Sequence, residues 1–251
     1  LNANHSGHTP LVTYILIGLC VFCYIPIATE ALPAQNSFAL YFPDNPDYHV
    51  WQYITSLFMH GSLMHLLFNM LALWMFGSML ERLWGGAKFL LFYMLCGIGA
   101  GLIYTWINQY EFNQFINEFR NLGLSATDIR SIVEEGVYRT GIPGLTEAKV
   151  RDFYWLYHIP VVGASGAIYG ILVAFAICFP NHKLLFIFIP YPIAAKYFVP
   201  ALLLIDLLSG VTGFSIFGGN VAHFAHVGGG VVGFLLVWLL GRRGRNTRPL
   251  E

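Results

Sequence analysis

Six apolar stretches set the limits on what this chain can become. They lie at residues 11–28, 63–80, 89–107, 161–179, about 194–208 and 222–240. Each is close to the ~20 mostly apolar residues that a helix needs to cross a hydrocarbon core. In lipid every backbone N–H and C=O must be bonded within its own segment, so such stretches fold as helices. Bulk composition agrees: of 251 residues, 57% are hydrophobic and 10% charged, against about 25% charged in soluble domains. An all-α, polytopic bundle of six membrane spans is therefore expected. The fifth stretch is the weakest. It carries Lys196, Pro200 and Asp206 and follows the Pro190-Tyr191-Pro192 break, so a short or kinked helix is expected there.

The charges between the spans predict orientation. Arg82 and Lys88 flank the turn after the second span, Lys183 the turn after the fourth, and Arg242, Arg243, Arg245 and Arg248 the C-terminal tail. Residues 30–59 carry Glu30, Asp44 and Asp47 but no lysine or arginine. Positive residues mark the cytoplasmic side. That predicts a cytoplasmic N-terminal tail (1–10), a membrane domain (11–240) and a basic cytoplasmic tail (241–251). The formal net charge is zero, and without a basic surface a nucleic-acid partner is not expected. Cys20, Cys23, Cys96 and Cys178 all fall in apolar runs, where cysteine acts as a small hydrophobe. The chain begins at Leu1 and closes on Leu250-Glu251, which reads as a trimmed chain with an appended scar.

Residues 108–158 break the pattern, with seven acidic and five basic side chains between spans three and four. Ser125-Ala-Thr-Asp128 resembles a capping box, and Gly136 sits where that helix would stop. Thr146 is placed to cap a second helix to about Tyr157. A helical insertion on the extracytoplasmic side is expected, either as decoration or with a role in the chemistry. Residues 31–58, rich in proline and aromatics, read as an ordered interfacial loop.

Polar side chains inside spans are costly and point to function. His65 and Asn69 lie four apart on one face of span two, as do Ser165 and Tyr169 on span four; His226 follows His223 by three on span six. All three spans run the same way. Ser165 and His226 each lie four residues in, on the order of 6 Å below the same face at ~1.5 Å per residue. A hydroxyl, an imidazole and an amide thus share one layer. A serine needs a base before it is a nucleophile, and His226 has the chemistry for it. A tetrahedral oxyanion needs donors, which His65, Asn69 and the Ser165 N–H could supply. Gly163, Ala164, Gly166 and Gly170 on span four, with Gly228, Gly229, Gly230 and Gly233 on span six, would permit close approach; Gly229 and Gly233 form a G-x-x-x-G.

Bland readings stand beside these. A serine in a membrane helix often bonds the carbonyl of the preceding turn, and G-x-x-x-G is often packing alone. His223 and His60 read as structural, His60 serving a polar network at the start of span two. Tyr169 reads as core, although its register would let its ring rest against His226. Asp206 lies on the site's side of span five and could orient a histidine, but no contact with span six is expected at that depth. Nine histidines invite a metal, yet there is no His-Glu-x-x-His and no glutamate beside a histidine pair within a span, so no metal is expected. His5 and His8 belong to the polar tail.

Three motifs carry a resemblance. His60-Gly-Ser-Leu-Met-His65-Leu-Leu-Phe-Asn69, Gly163-Ala-Ser165-Gly-Ala-Ile-Tyr169 and Ala225-His226-Val-Gly-Gly229-Gly-Val-Val-Gly233 resemble, in order and spacing, the rhomboid intramembrane serine proteases. The resemblance implies a six-helix rhomboid-like bundle in the bacterial inner membrane, with its active site opening to the extracytoplasmic side. It implies a dyad of Ser165 as nucleophile and His226 as base, with oxyanion donors His65 and Asn69. It further implies that Tyr169 stacks on the histidine, and that Gly163, Gly229, Gly233 and His60 have supporting places. It implies substrates that are transmembrane proteins cleaved after small residues, contact with membrane lipids and no cofactor. Residues 209–221 would cap the site, and span five would be a lateral gate. The oligomeric state is left open.

Two departures stand out. Gln52 takes the place of a frequent arginine after Trp51, removing a charge expected to meet lipid headgroups. The 108–158 segment is longer than in compact relatives and is expected to modulate substrate access. Thr55, Ser56, His60 and Ser62 could line a water path. The rival readings are a catalytically silent rhomboid-like binder of membrane clients, and a small transporter, which would show inverted repeats and a midplane site.

Overall fold

The computed structural model describes residues 9–32, 37–186, 189–213 and 222–245. Most of both expected tails and most of the expected cap, at 214–221, lie outside the described residues. The first helix, α1 (Leu11–Ala28), has the bounds its apolar run predicts. Its N-cap, Pro10, makes no side-chain cap. Glu81, buried in the second apolar helix, does so instead. One carboxylate oxygen accepts from the Val12 amide at 2.9 Å, the other from the Thr13 amide and hydroxyl at 2.7 Å each. Free N–H groups at a helix start need such a partner, and a carboxylate also suits the helix dipole.

The 37–58 loop ends in a short helix, α2 (Gln52–Thr55), and a 3₁₀ turn, Ser56–Phe58. Gln52 is wholly buried. Its amide donates to the Ser37 and Asp47 carbonyls and accepts from the Tyr41 and His49 amides. The side chain at this position knits the loop from inside. Span two runs continuously over Leu63–Trp84 as α3 (Leu63–Ala72), a π turn at Leu73–Gly77 and α4 (Ser78–Trp84). Ser62 starts it by accepting the His65 N–H.

The third apolar stretch forms α5 (Gly86–Asn121), which has 36 residues, a length of about 54 Å. It outruns both the expected end at 107 and a ~30 Å hydrocarbon core, because amphipathic residues replace apolar ones without a helix breaker. The helix thus runs on through residue 108 into the segment expected as an insertion. Beyond it, α6 (Ala126–Glu135) has the capping box of Ser125 and Asp128 and a left-handed Gly136 at its end, and α7 (Glu147–His158) is capped by Thr146. The far half of α5 closes with them over Phe112, Phe119, Ile132, Val150 and Phe153, a hydrophobic core of its own.

The helix of the fourth apolar stretch, α8 (Ser165–Cys178), begins four residues later than that run. Val161 instead pairs with Leu40 in an antiparallel bridge, and Gly163 takes φ +126°. Two strands, β1 (Lys183–Phe186) and β2 (Ile189–Ala194), form a small antiparallel hairpin where a plain break was expected, so the fold is not wholly helical. The last helices are α9 (Ala195–Thr212), which carries Pro200 within it, and α10 (His223–Arg245).

Among the described residues, α1, Leu63–Trp84, α5 and α9 are long and apolar enough to cross a membrane, while α8 and the apolar part of α10 are shorter. Large apolar side chains such as Phe22, Phe68, Trp106 and Phe234 point outward, as they do where lipid replaces water. The chain is an integral membrane protein. Its centre is the α5–α8–α10 contact. A Cβ on Gly229 would lie 1.9 Å from the Gly166 carbonyl oxygen, and one on Gly233 2.6 Å from the Gly170 Cα. Only hydrogen at these positions lets α8 and α10 meet backbone to backbone. Gly228 and Gly230 turn elsewhere, to Ile103 of α5 and Leu203 of α9.

Candidate active site

Ser165 opens α8, with Ala164 as its N-cap. The lead-in is held by the Val161–Leu40 bridge and by the Gly163 amide, which donates to the Ser56 carbonyl at 2.9 Å. The serine therefore sits in the first turn, closer to the positive end of the helix dipole than four residues in would have put it. Across the glycine seam, His226 lies in the first turn of α10. Its Nε2 is 2.9 Å from Ser165 Oγ, although the two are 61 residues apart in sequence. The Tyr169 ring stacks on the His226 ring with centroids 4.3 Å apart and planes 9° from parallel.

His65 and Asn69 come from α3. His65 packs against Gly163 so closely that a Cβ there would lie 2.7 Å from the imidazole Cε1 and Nε2. The Asn69 amide donates to the His65 carbonyl at 2.8 Å. With Ser165, Tyr169, Asp206 and His226, both line one cavity of about 790 Å³, within the ~300–1,000 Å³ usual for binding sites. Ser56 and Ser62 also lie in its wall, while Thr55 and His60 do not. Thr55 instead donates to the Phe38 carbonyl. His60 is fully buried, its ring 5.1 Å from that of His65. Among the described residues neither His60 ring nitrogen meets a side-chain partner, and the Phe58 backbone is the polar group that acts on it.

Asp206 is the residue that sequence reasoning undervalued. It was expected to make no contact with the sixth span, and the structure corrects this. One carboxylate oxygen lies 2.6 Å from His223 Nδ1 and 3.1 Å from His226 Nδ1; the other accepts the Tyr169 hydroxyl. Asp206 is only 2% exposed. The signal was present, as an acid inside an apolar run, but a linear reading does not tell which way α9 turns it. The same three residues, Asp206, His223 and His226, bring potential metal-ligating atoms within 4.8 Å of one another. Their spacing is accounted for by N–H donation to a shared carboxylate oxygen.

A family model, the Rhomboid domain, matches residues 47–243. The chain is 27% identical over 244 residues to a rhomboid protease, AarA, of Providencia stuartii, covering 90% of this chain and 70% of that protein. It is 27% identical to the mitochondrial Rhomboid protein 1 of Saccharomyces cerevisiae over 75% of this chain and 41% of the relative. It is 30% identical to a rhomboid protease, GlpG, of Haemophilus influenzae over 40% of this chain and 53% of the relative. The latter two matches thus span about half the length of those relatives.

Proposed function

The chain belongs to the rhomboid family, and from that premise we propose that it is an intramembrane serine endopeptidase acting on transmembrane proteins. The observation that carries the reading is the 2.9 Å approach of His226 Nε2 to Ser165 Oγ, inside the ~2.6–3.2 Å range for a base and the proton it takes. The names of the relatives, rhomboid proteases, support it.

The proposed chemistry runs through an acyl-enzyme. His226 takes the hydroxyl proton as Ser165 Oγ attacks the scissile carbonyl carbon. Negative charge then gathers on the former carbonyl oxygen. The Ser165 N–H at the start of α8, His65 and Asn69 are the donors proposed to meet it. As the C–N bond breaks, His226 gives its proton to the leaving amine, and an acyl-Ser165 ester remains. Water, deprotonated by His226, attacks that ester; the acid product leaves and Ser165 regains its proton. The mechanism needs no cofactor. The proposed enzyme crosses the membrane six times, with both termini cytoplasmic and the cavity opening to the extracytoplasmic side. The α6–α7 segment lies on that side as an insertion that modulates substrate access. Ser56 and Ser62 are the polar wall along which water reaches Ser165.

The test is Ser165-dependent labelling by a fluorophosphonate, together with cleavage of a single-span substrate in liposomes. Labelling and cleavage that vanish in Ser165→Ala and His226→Ala are expected. A folded wild-type protein that neither labels nor cleaves would leave the silent client-binder as the reading.

A further inference from the structure

Asp206 is an ionisable group almost wholly shielded from solvent, and it accepts three donors: His223 Nδ1, His226 Nδ1 and the Tyr169 hydroxyl. A buried carboxylate is costly unless its acceptor sites are filled. Three donors on two oxygens fill most of the sites an ionised carboxylate offers. That explains how the charge is tolerated, but not why it lies against the histidine that faces Ser165.

The tautomer of His226 supplies the reason. A neutral imidazole carries one proton, and only the Nδ1–H form leaves Nε2 free to accept from a serine hydroxyl. The contact with Ser165 Oγ does not select this form, since a hydroxyl both donates and accepts. A carboxylate only accepts. Its oxygen at 3.1 Å from Nδ1 selects the Nδ1–H tautomer and bares Nε2. When Nε2 takes the serine proton, the imidazolium formed lies beside a negative charge in a site sheltered from water, where that charge counts most. Tyr169 holds the same ring twice, by stacking on its face and by bonding the carboxylate that grips its edge.

We infer that Asp206 is a positioning residue for the proposed reaction: it fixes the tautomer and orientation of His226, so that Ser165, His226 and Asp206 form one hydrogen-bonded line drawn from three helices, α8, α10 and α9. His223 shares the carboxylate and anchors it to the start of α10. The arrangement also ties the catalytic unit to α9. An outward displacement of that helix takes the carboxylate away while leaving Ser165 and His226 on their own helices. This inference rests on the protease reading above.

The experiment uses the full chain in liposomes with a single-span substrate, and reads kcat and KM separately with fluorophosphonate labelling of Ser165. Asp206→Asn keeps size and polarity but presents N–H donors as well as an acceptor. It is expected to lower kcat by on the order of 10²–10⁴-fold, as loss of the carboxylate does in a serine–histidine–aspartate site, while KM changes little. In ¹⁵N spectra of histidine-labelled protein, wild-type His226 should be protonated at Nδ1 and bare at Nε2, and Asp206→Asn should mix the two forms. Asp206→Glu keeps the charge and the acceptor and should recover much of the lost kcat; it carries the test if the asparagine variant is unstable. Asp206→Asn that melts like wild type and keeps kcat within threefold would overturn the inference. So would Asp206→Glu as inactive as Ser165→Ala in a folded protein. Loss of wild-type activity to a chelator with recovery on adding zinc would make the three-residue cluster a metal site and equally overturn it. Failure of wild-type protein to label at Ser165 would defeat the protease reading itself, a distinct outcome.

Discussion

At the scale of single residues, burial and partner geometry give each polar group near Ser165 its place. Gln52, Asp206 and Glu81 are all buried, and each fills its acceptors with amides, imidazoles or hydroxyls rather than solvent. Gly163 is constrained twice over, by its backbone and by its neighbour. Its φ of +126° disfavours any side chain, and a Cβ there would lie 2.7 Å from the His65 ring. Gly163→Ala should therefore cost about 1–3 kcal/mol in backbone strain and push His65 out of the cavity wall. Gly61→Ala meets nothing nearer than a Val162 methyl at 3.8 Å and should melt nearly like wild type. Thermal unfolding of the two variants in detergent checks the contrast; equal melting temperatures would show that the tight approach at Gly163 carries no weight.

At the scale of elements, the seam between α8 and α10 decides whether Ser165 and His226 can meet. Both lie in the first turns of their helices, and the helices touch through Gly166, Gly170, Gly229 and Gly233. A methyl on Gly229 would project to 1.9 Å from the Gly166 carbonyl oxygen, a backbone atom that cannot swing aside. Gly229→Ala should thus force the helices apart, cost at least the ~1–3 kcal/mol of an overpacked core, and lengthen the Nε2–Oγ distance. The measured outcome is loss of both thermal stability and Ser165 labelling. A variant that labels at the wild-type rate would show that the seam does not set the Ser165–His226 distance. By contrast, a Cβ on Gly228 would lie 3.0 Å from Ile103 Cβ and Cγ2, a far looser approach than at Gly229.

At the scale of the molecule, two hydrophobic cores sit side by side: one inside the bundle, the other where α6 and α7 close over the far half of α5. The second is tied to the 37–58 loop through the Tyr157 hydroxyl, which bonds the Asp44 carbonyl, and Asn45, which bonds the Tyr157 carbonyl. Because its core is separate, replacing residues 122–158 by a short linker should leave the bundle folded and Ser165 reactive, while shifting KM and the choice among single-span substrates. Unchanged cleavage and selectivity would remove the proposed role in access. Much of this was legible in the chain alone. Apolar length placed the helices, the Ser125 and Thr146 caps and Gly136 marked the ends of α6 and α7, and the register of small residues foretold the α8–α10 seam. Those features depend on neighbours within a few residues, or on a period that one helix carries by itself. Tertiary structure decided the rest. Asp206 reaching His226, Glu81 capping α1 and Gln52 turning inward all depend on how a helix or loop is rotated against its neighbours. That rotation is set by packing among segments far apart in sequence, and no local pattern of residues encodes it.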